Sequence, residues 1–416
     1  MLKRPLLWLI VAAMLSLQGA CIASRWSAVK AGTPDFAALY GTAKFVHRGV
    51  APNYDPTKIH GVDASVNDRG AKPLPPAESQ VDMLHPPFEI LLFLPFTWMP
   101  YAKAYIVWSA SNLVFLWGVV LVLWKYLPRL HPEFEVLAIL YGSFLPVIIC
   151  LIQGQDSILL LLLLSLSFAA LAEGRDRRAG IFLALGLFKF HLVLPLIVAL
   201  MVMRRWRVVA GFFLGFGSLL LVSFAVVGTR ATLKYIPFIS HFSRHISVHA
   251  SERTAMMPNV RGLVAFLSGS FASAREQSLI VICLSAVILL LTIGWIWKFR
   301  KRPAAVWFSL VLAVTSLISY HYYIYNSVIL VLPLLLVTNE LAAPGCDRLL
   351  RRVFTAVAIS VCATLMAASV GLIVLEVAMP LLAVETLLMA AALFAIPYRM
   401  ESRVSHASQP SAVTAL

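Results

Sequence analysis

The feature that most constrains this chain is a succession of long apolar runs separated by short clusters of Lys and Arg. Inside a bilayer the backbone must satisfy its own polar groups, so apolar runs of roughly 20 residues cross as helices. With 60% hydrophobic residues, 13% charged residues and a mean hydropathy of +0.86, a water-soluble fold could not hide so much apolar surface. The sequence predicts an all-α polytopic membrane protein with no large soluble domain and about twelve transmembrane helices at about 20 residues per crossing.

A formal charge of +15 would point to nucleic acid in a soluble protein, but here the cations lie between apolar runs, as they do in cytoplasmic loops. No nucleic-acid partner is expected; membrane lipids are. The clusters are Lys3/Arg4, Lys125/Arg129, Arg175/Arg177/Arg178, Arg204/Arg205/Arg207, Lys298/Arg300/Lys301/Arg302, Arg348/Arg351/Arg352 and Arg399/Arg403, more than half of the 34 Lys and Arg residues. Assigning all of them to the cytoplasm gives a multi-pass protein of the inner (plasma) membrane with both termini inside. Residues 6–23 read as the first span, with a signal peptide as the alternative because Ala20-Cys21-Ile22-Ala23 resembles a cleavage site. Residues 24–85, rich in Pro, Asp, Asn and Gly, form a large first external loop. Residues 1–403 read as one integral-membrane domain and 404–416 as a disordered tail.

Two stretches strain this map. Residues 179–203 suffice for one straight crossing, yet carry cytoplasmic-type charge at both ends. Two short or bent helices meeting near Phe188-Lys189-Phe190-His191 resolve the conflict. A broken backbone at membrane depth is tolerated only beside protein or a wet cavity, so Lys189 and His191 are expected at a cavity. Residues 86–99 are too short to span and are expected to lie at the interface or dip in.

The outward connectors collect a polar set: Asp35, Tyr40, His47, Tyr54, Asp55 and His85; Gln153, Gln155 and Asp156; Lys189 and His191; His241, Arg244, His245, His249, Asn259 and Arg261; His321 and Asn326. Eight of the ten histidines fall on that side. His241, His245 and His249, spaced i, i+4, i+8, align on one helix face. A metal site is one reading; without a nearby Cys or carboxylate array, a basic helix facing lipid headgroups fits better. No pair among the five cysteines has disulfide or metal spacing. Asp35 stands apart as a lone acid at the rim of the bilayer, where a carboxylate must be solvated, paired or used. Its plain alternative is a helix-start cap in Pro34-Asp35-Phe36-Ala37. Lys189 has its own, a side chain snorkelling to the interface, and Gln153 to Asp156 could be a solvated turn.

The order Pro34-Asp35-Phe36, Tyr40, Gly49, Asn53-Tyr54-Asp55, His85-Pro86-Pro87-Phe88 with Leu94-Pro95, Gln153-Gly154-Gln155-Asp156, then Lys189 before a run ending in Arg204-Arg205-Trp206-Arg207, resembles glycosyltransferase family 87. It departs from that pattern at His85, where Tyr often precedes the Pro pair, and at Asn326, where an acid is common. The resemblance implies a GT-C-type bundle that moves a sugar, typically mannose, from a polyprenyl-phosphate donor to a lipid or glycan acceptor with inversion. It implies neither metal nor cofactor. Such chemistry needs a base for the acceptor hydroxyl and cations for the departing phosphate. Asp35 and His321 are the expected catalytic residues; Lys189, Gln155, Tyr54, Asp55, His85, Asn259, Arg261 and Asn326 are expected to bind substrate. The competing functions are a multi-span transporter or lipid-carrier flippase, which would want mid-membrane ionisable residues and a two-fold repeat, and a scaffold subunit of an envelope-polymer machine.

Overall fold

The structure, a computed structural model, describes residues 23–32, 34–49, 54, 86–133, 137, 144–249, 254, 256–269, 271–344, 346–369 and 371–407, with scattered positions before residue 21; the side chains of 241–249 and 397–407 are not included. Among the described residues the fold is helical, with no strand. The helices are α1 (Phe36–His47), α2 (Tyr101–Trp124), α3 (Leu145–Gln153), α4 (Ser157–Ala172), α5 (Asp176–Leu185), α6 (Phe190–Val202), α7 (Trp206–His249), α8 (Val260–Ser268), α9 (Ala274–Phe299), α10 (Ala304–Ile318), α11 (Val331–Leu341), α12 (Arg348–Ser369) and α13 (Leu375–Ala407). The segment 87–98 runs through short 3-10 and α turns. Among the described residues, seven stretches are long and apolar enough to cross a membrane and three apolar helices are shorter, segment 87–98 among them. The expected dozen crossings is not established by these. The last helix runs to Ala407, past the point where a disordered tail was expected to begin.

Apolar residues circle α10 and α11 completely, and nearly every side chain from Ala305 to Leu317 is buried. A helix that is apolar all round belongs inside a bundle, and these two form its centre. Peripheral α2 and α9 turn Leu113, Val114, Trp117, Leu121, Leu290 and Leu291 outward. Between α12 and α13, Glu385 Oε1 accepts hydrogen bonds from Ser360 (2.5 Å) and Thr364 (2.7 Å), a polar clasp within an apolar pair.

Residues 176–202 bear out the reading of two short helices. A Cβ on Gly180 would lie 2.0 Å from the Val208 carbonyl oxygen, one on Gly211 2.1 Å from that of Arg177, and one on Gly215 2.6 Å from Ala184 Cβ. The small residues Gly180 and Ala184 thus meet Gly211 and Gly215, so α5 and the start of α7 run side by side in the same direction. A straight helix through 176–202 would carry the chain about 40 Å away. Instead it turns at the 3-10 segment Gly186–Lys189, where Lys189 has φ −115° and ψ 61°, and returns to begin α7 beside the start of α5.

The basic clusters at 125–129, 175–178, 204–207 and 298–302 gather at one end of the bundle. Lys125 pairs with Glu173 (2.9 Å), Arg175 with Glu173 (3.3 Å), Arg205 with Asp176 (3.9 Å) and Arg129 with Glu340 (3.9 Å). Arg204 and Arg300 both lie over the Trp297 ring, at 5.4 and 4.7 Å. The helix α4 leads away from this layer for about 24 Å, 1.5 Å per residue, to Asp156 and a second polar layer.

The α5–α7 contact predicts opposite outcomes for two glycines. Gly180→Ala is expected to lower the thermal stability of the detergent-solubilised protein by about 1–3 kcal/mol, because the new methyl meets backbone. Gly217→Ala, where nothing lies within 4 Å, is expected to leave it unchanged or raised. Melting curves of the two variants check this.

Candidate active site

The second polar layer is built around the turn from α3 to α4. The α3 helix ends in a left-handed glycine, Gly154 (φ 63°, ψ 36°), with its N–H bonded to Leu151 O (3.1 Å) and that of Gln155 to Cys150 O (2.9 Å), the paired bonds of a Schellman cap. The indole of Trp108 donates to Gly154 O (2.8 Å), and the Tyr105 hydroxyl reaches Leu151 O (2.8 Å) and Ile152 O (2.9 Å). A Cβ on Gly154 would come 2.6 Å from that of Phe36. Only glycine satisfies both the backbone conformation and this approach, so the turn is pressed against the first residue of α1.

Asp35, immediately before α1, occupies the cap position but makes no side-chain capping bond. Its Oδ2 instead accepts from Gln155 Nε2 at 2.6 Å, and its N–H reaches Gln153 Oε1 at 3.3 Å. Both glutamines of Gln153-Gly154-Gln155 therefore grip one aspartate. The residue is half-buried, and the amide ends of α1 favour its negative charge.

Gln155 also accepts from Lys189 Nζ (3.2 Å), and Lys189 forms an ion pair with Asp156 (2.8 Å), their side chains 5% and 0% exposed. The Lys189 ammonium lies 5.3 Å from the centre of the Tyr325 ring. The break at Gly186–Lys189 thus delivers a cation inward, and snorkelling does not describe it. Next along the turn, Ser157 donates to Asn326 Oδ1 (3.0 Å). Asp35, Gln155, Lys189, Asp156, Ser157 and Asn326 are brought together from four separate stretches of chain.

The segment between α10 and the 3-10 turn Ile324–Leu330 carries the remaining pieces. Asn259 caps α8, its Oδ1 accepting from Gly262 N (2.9 Å) while Nδ2 donates to Ser319 O (2.7 Å), and it is fully buried. That geometry uses Asn259 to fasten α8 to the end of α10. Arg261 lies 4.0 Å above the Tyr320 ring and donates to Tyr320 O (3.3 Å). Beside it, His321 Nε2 is buried and has no hydrogen-bond partner among the described residues. Burial, and then the Arg261 charge, pull His321 down to about 4, so the imidazole is neutral at physiological pH.

Tyr54 lies elsewhere. Its ring packs against Tyr235 (5.3 Å) and Phe238 (5.5 Å) of α7, and burial, followed by the charge of Glu89, pushes its hydroxyl well above the usual tyrosine range. It anchors the first loop to α7. Asp55 and His85 fall outside the described residues, as do the side chains of His241, Arg244, His245 and His249. Among the described residues, no group of three His, Cys, Asp or Glu could hold a metal ion. Near the site, the sequence does not reveal Asp156 as the partner of Lys189, nor Glu89, 2% exposed near Tyr54. An acid inside the apolar run Phe88-Glu89-Ile90-Leu91-Leu92 was the available signal for Glu89.

Two outcomes follow from this geometry. Asp156→Asn leaves a buried ammonium without its counter-charge and is expected to destabilise by about 3–5 kcal/mol, whereas the double variant Lys189→Met/Asp156→Leu recovers most of that loss; thermal unfolding in detergent compares them. For His321, the unfolded imidazole takes a proton near 6.5 and the folded one only near 4, so stability falls as pH drops through that window. His321→Asn is expected to flatten this part of the melting-temperature profile.

The model of a protein family, described as glycosyltransferase family 87, matches residues 84–319, more than half of the chain. That segment includes Gln155, Asp156, Lys189, Asn259 and Arg261; Asp35, His321 and Asn326 lie beyond its ends. Searches of curated proteins and of solved structures return no match. A helical membrane protein with this matched segment is a membrane glycosyltransferase, and the chain belongs to glycosyltransferase family 87.

Proposed function

We propose that this glycosyltransferase moves a sugar, mannose in the reading we favour, from a polyprenyl-phosphate donor to a hydroxyl of a lipid or glycan acceptor, with inversion at the anomeric carbon. The observation that carries this reading is the half-buried Asp35 carboxylate, which stands at a helix start, declines to cap it and is held by Gln155 at 2.6 Å. A carboxylate so oriented can take the acceptor's proton as the acceptor oxygen bonds to the anomeric carbon. The anomeric carbon–oxygen bond breaks, and its electron pair leaves with the lipid phosphate.

Stabilising that phosphate requires cationic or hydrogen-bonding groups not already neutralised. Lys189, expected for this role, has its charge engaged by Asp156 at 2.8 Å. Arg261 and His321 Nε2, which has no hydrogen-bond partner among the described residues, suit the phosphate better. A neutral imidazole protonated at Nε2 donates a hydrogen bond to an anionic oxygen and gives it up when the product leaves. Lys189 then serves the site from behind, through Gln155.

The domain reading is one integral-membrane unit over residues 1–403, its catalytic layer external and its basic layer cytoplasmic by the bias of Lys and Arg. We assign it to the inner (plasma) membrane. The donor's activation resides in its phosphate ester, so no cofactor enters the scheme.

Purified protein in nanodiscs, given radiolabelled polyprenyl-phosphate mannose and membrane lipid extract, is expected to yield a labelled product. Asp35→Asn is expected to melt like the parent and lose about 100- to 10,000-fold in transfer rate. Undiminished transfer by that variant removes Asp35 as the base.

A further inference from the structure

We infer that Gln155 is a positioning residue: its side-chain amide fixes the Asp35 carboxylate and joins it to the buried Lys189–Asp156 pair, without contact to the sugar. The inference rests on the proposed reading of Asp35 as the base.

The amide is locked at both ends by elementary hydrogen-bond chemistry. Lys189 Nζ, 3.2 Å from Oε1, is an ammonium with hydrogens to give and no lone pair; Asp35 Oδ2, 2.6 Å from Nε2, belongs to a carboxylate that only accepts. Exchanging the amide's oxygen and nitrogen would face donor with donor and acceptor with acceptor. The orientation of Gln155 is therefore set by its neighbours. Its backbone is equally constrained, with its N–H on Cys150 O (2.9 Å) and its carbonyl accepting from the Cys150 thiol (3.3 Å). Gly154, one residue earlier, abuts Phe36, and Gln153 receives the Asp35 N–H. The turn and the aspartate cannot move independently.

A neutral amide here has a second consequence. With nothing between them, a lysine and an aspartate would form a direct ion pair, and the carboxylate would lose basicity. The structure gives Lys189 to Asp156 at 2.8 Å and offers Asp35 an amide N–H. Asp35 keeps a charge-stabilising donor while the full positive charge stays one side chain away. Titratable groups on α1 and the elements around Asp35 include Tyr40 and Lys44 of α1, Tyr101, Lys103 and Tyr105 of α2, Glu89 of segment 87–98, Cys150, Asp156, Lys189 and Tyr325. Of the cations, Lys44 is bonded to the Tyr40 hydroxyl (2.9 Å) and Lys103 is exposed, whereas Lys189 is bonded to Gln155 and through it reaches Asp35.

The test is Gln155→Met, close in shape and unable to make either bond. The expected result is kcat lowered about 10- to 100-fold, as for loss of a hydrogen bond to a charged group. KM for the polyprenyl-phosphate sugar should stay within about twofold, because a positioning group acts on the transition state and not on ground-state binding. The acid limb of kcat/KM should move to higher pH by about one unit, since a carboxylate stripped of its donor is more basic. Gln155→Glu, which can still meet Lys189, places a second carboxylate beside Asp35 and should shift the limb the same way; it serves as the readout if the methionine variant fails to assemble. A raised KM with unchanged kcat would mean that Gln155 touches the donor and would overturn the inference, as would unchanged kinetics and pH profile. If Asp35→Asn is inactive while the Gln155 variants behave as parent, this inference alone falls; an active Asp35→Asn fells the catalytic reading itself.

Discussion

The arrangement depends on one constraint: a lysine and an aspartate buried together at the end of a membrane bundle. Removing two charges from water is costly, and the cost is offset only when the partners meet closely and their remaining hydrogen-bonding capacity is used. Lys189 meets Asp156 at 2.8 Å and spends a further bond on Gln155. For that pair to form, residues 176–202 must break and fold back at Gly186–Lys189, and the α3–α4 turn must stand opposite the break. The packing of Gly180 and Ala184 on Gly211 and Gly215 makes the return possible, because backbones approach there without side chains between them. Helix packing, backbone interruption and charge burial are thus one solution to a single problem.

The same constraint organises the two polar layers. Cations such as Lys125, Arg129, Arg175 and Arg205 are paired with exposed or half-exposed acids at one end of the bundle. At the other end the charges are withdrawn from solvent and connected, from Asp156 through Lys189 and Gln155 to Asp35. Asp35 is half-buried where Asp156 is sealed beside an ammonium, and on this difference we propose Asp35 rather than Asp156 as the base. The segment from Ser319 to Asn326 ties the halves of this layer together: Tyr320 supports Arg261, Tyr325 lies beneath Lys189, and Asn326 bonds Ser157.

Much of this was legible in the sequence because charge and hydropathy are read directly by the bilayer. The break near Lys189 followed from cations at both ends of a run too short for two crossings, and the basic layer followed from the loop clusters. The family could be recognised from the order of short motifs, among which Gln153-Gly154-Gln155-Asp156 proves to be the hub. Partnerships were not legible. Nothing in the sequence distinguishes an Asp156 that is solvated from one that neutralises Lys189, and Asn259 reads equally well as a ligand or as the cap it is. Glu385 and Glu89 were overlooked because each is a single acid within an apolar run, where the pattern of the run dominates the reading. The number of crossings is not fixed by hydropathy, because short and folded-back helices satisfy the same hydropathy as spanning ones.

The central claim is that catalysis occurs where Asp35 meets Gln155, at the end of α4 that begins with Asp156. A cryo-electron microscopy structure with an unreactive phosphonate analogue of a polyprenyl-phosphate sugar tests it most directly. The expected result is the anomeric carbon facing the Asp35 carboxylate, with the phosphonate against Arg261 and His321. A sugar bound at the opposite end, beside Lys125 and Glu173, or turned away from Asp35 in the same layer, would contradict it.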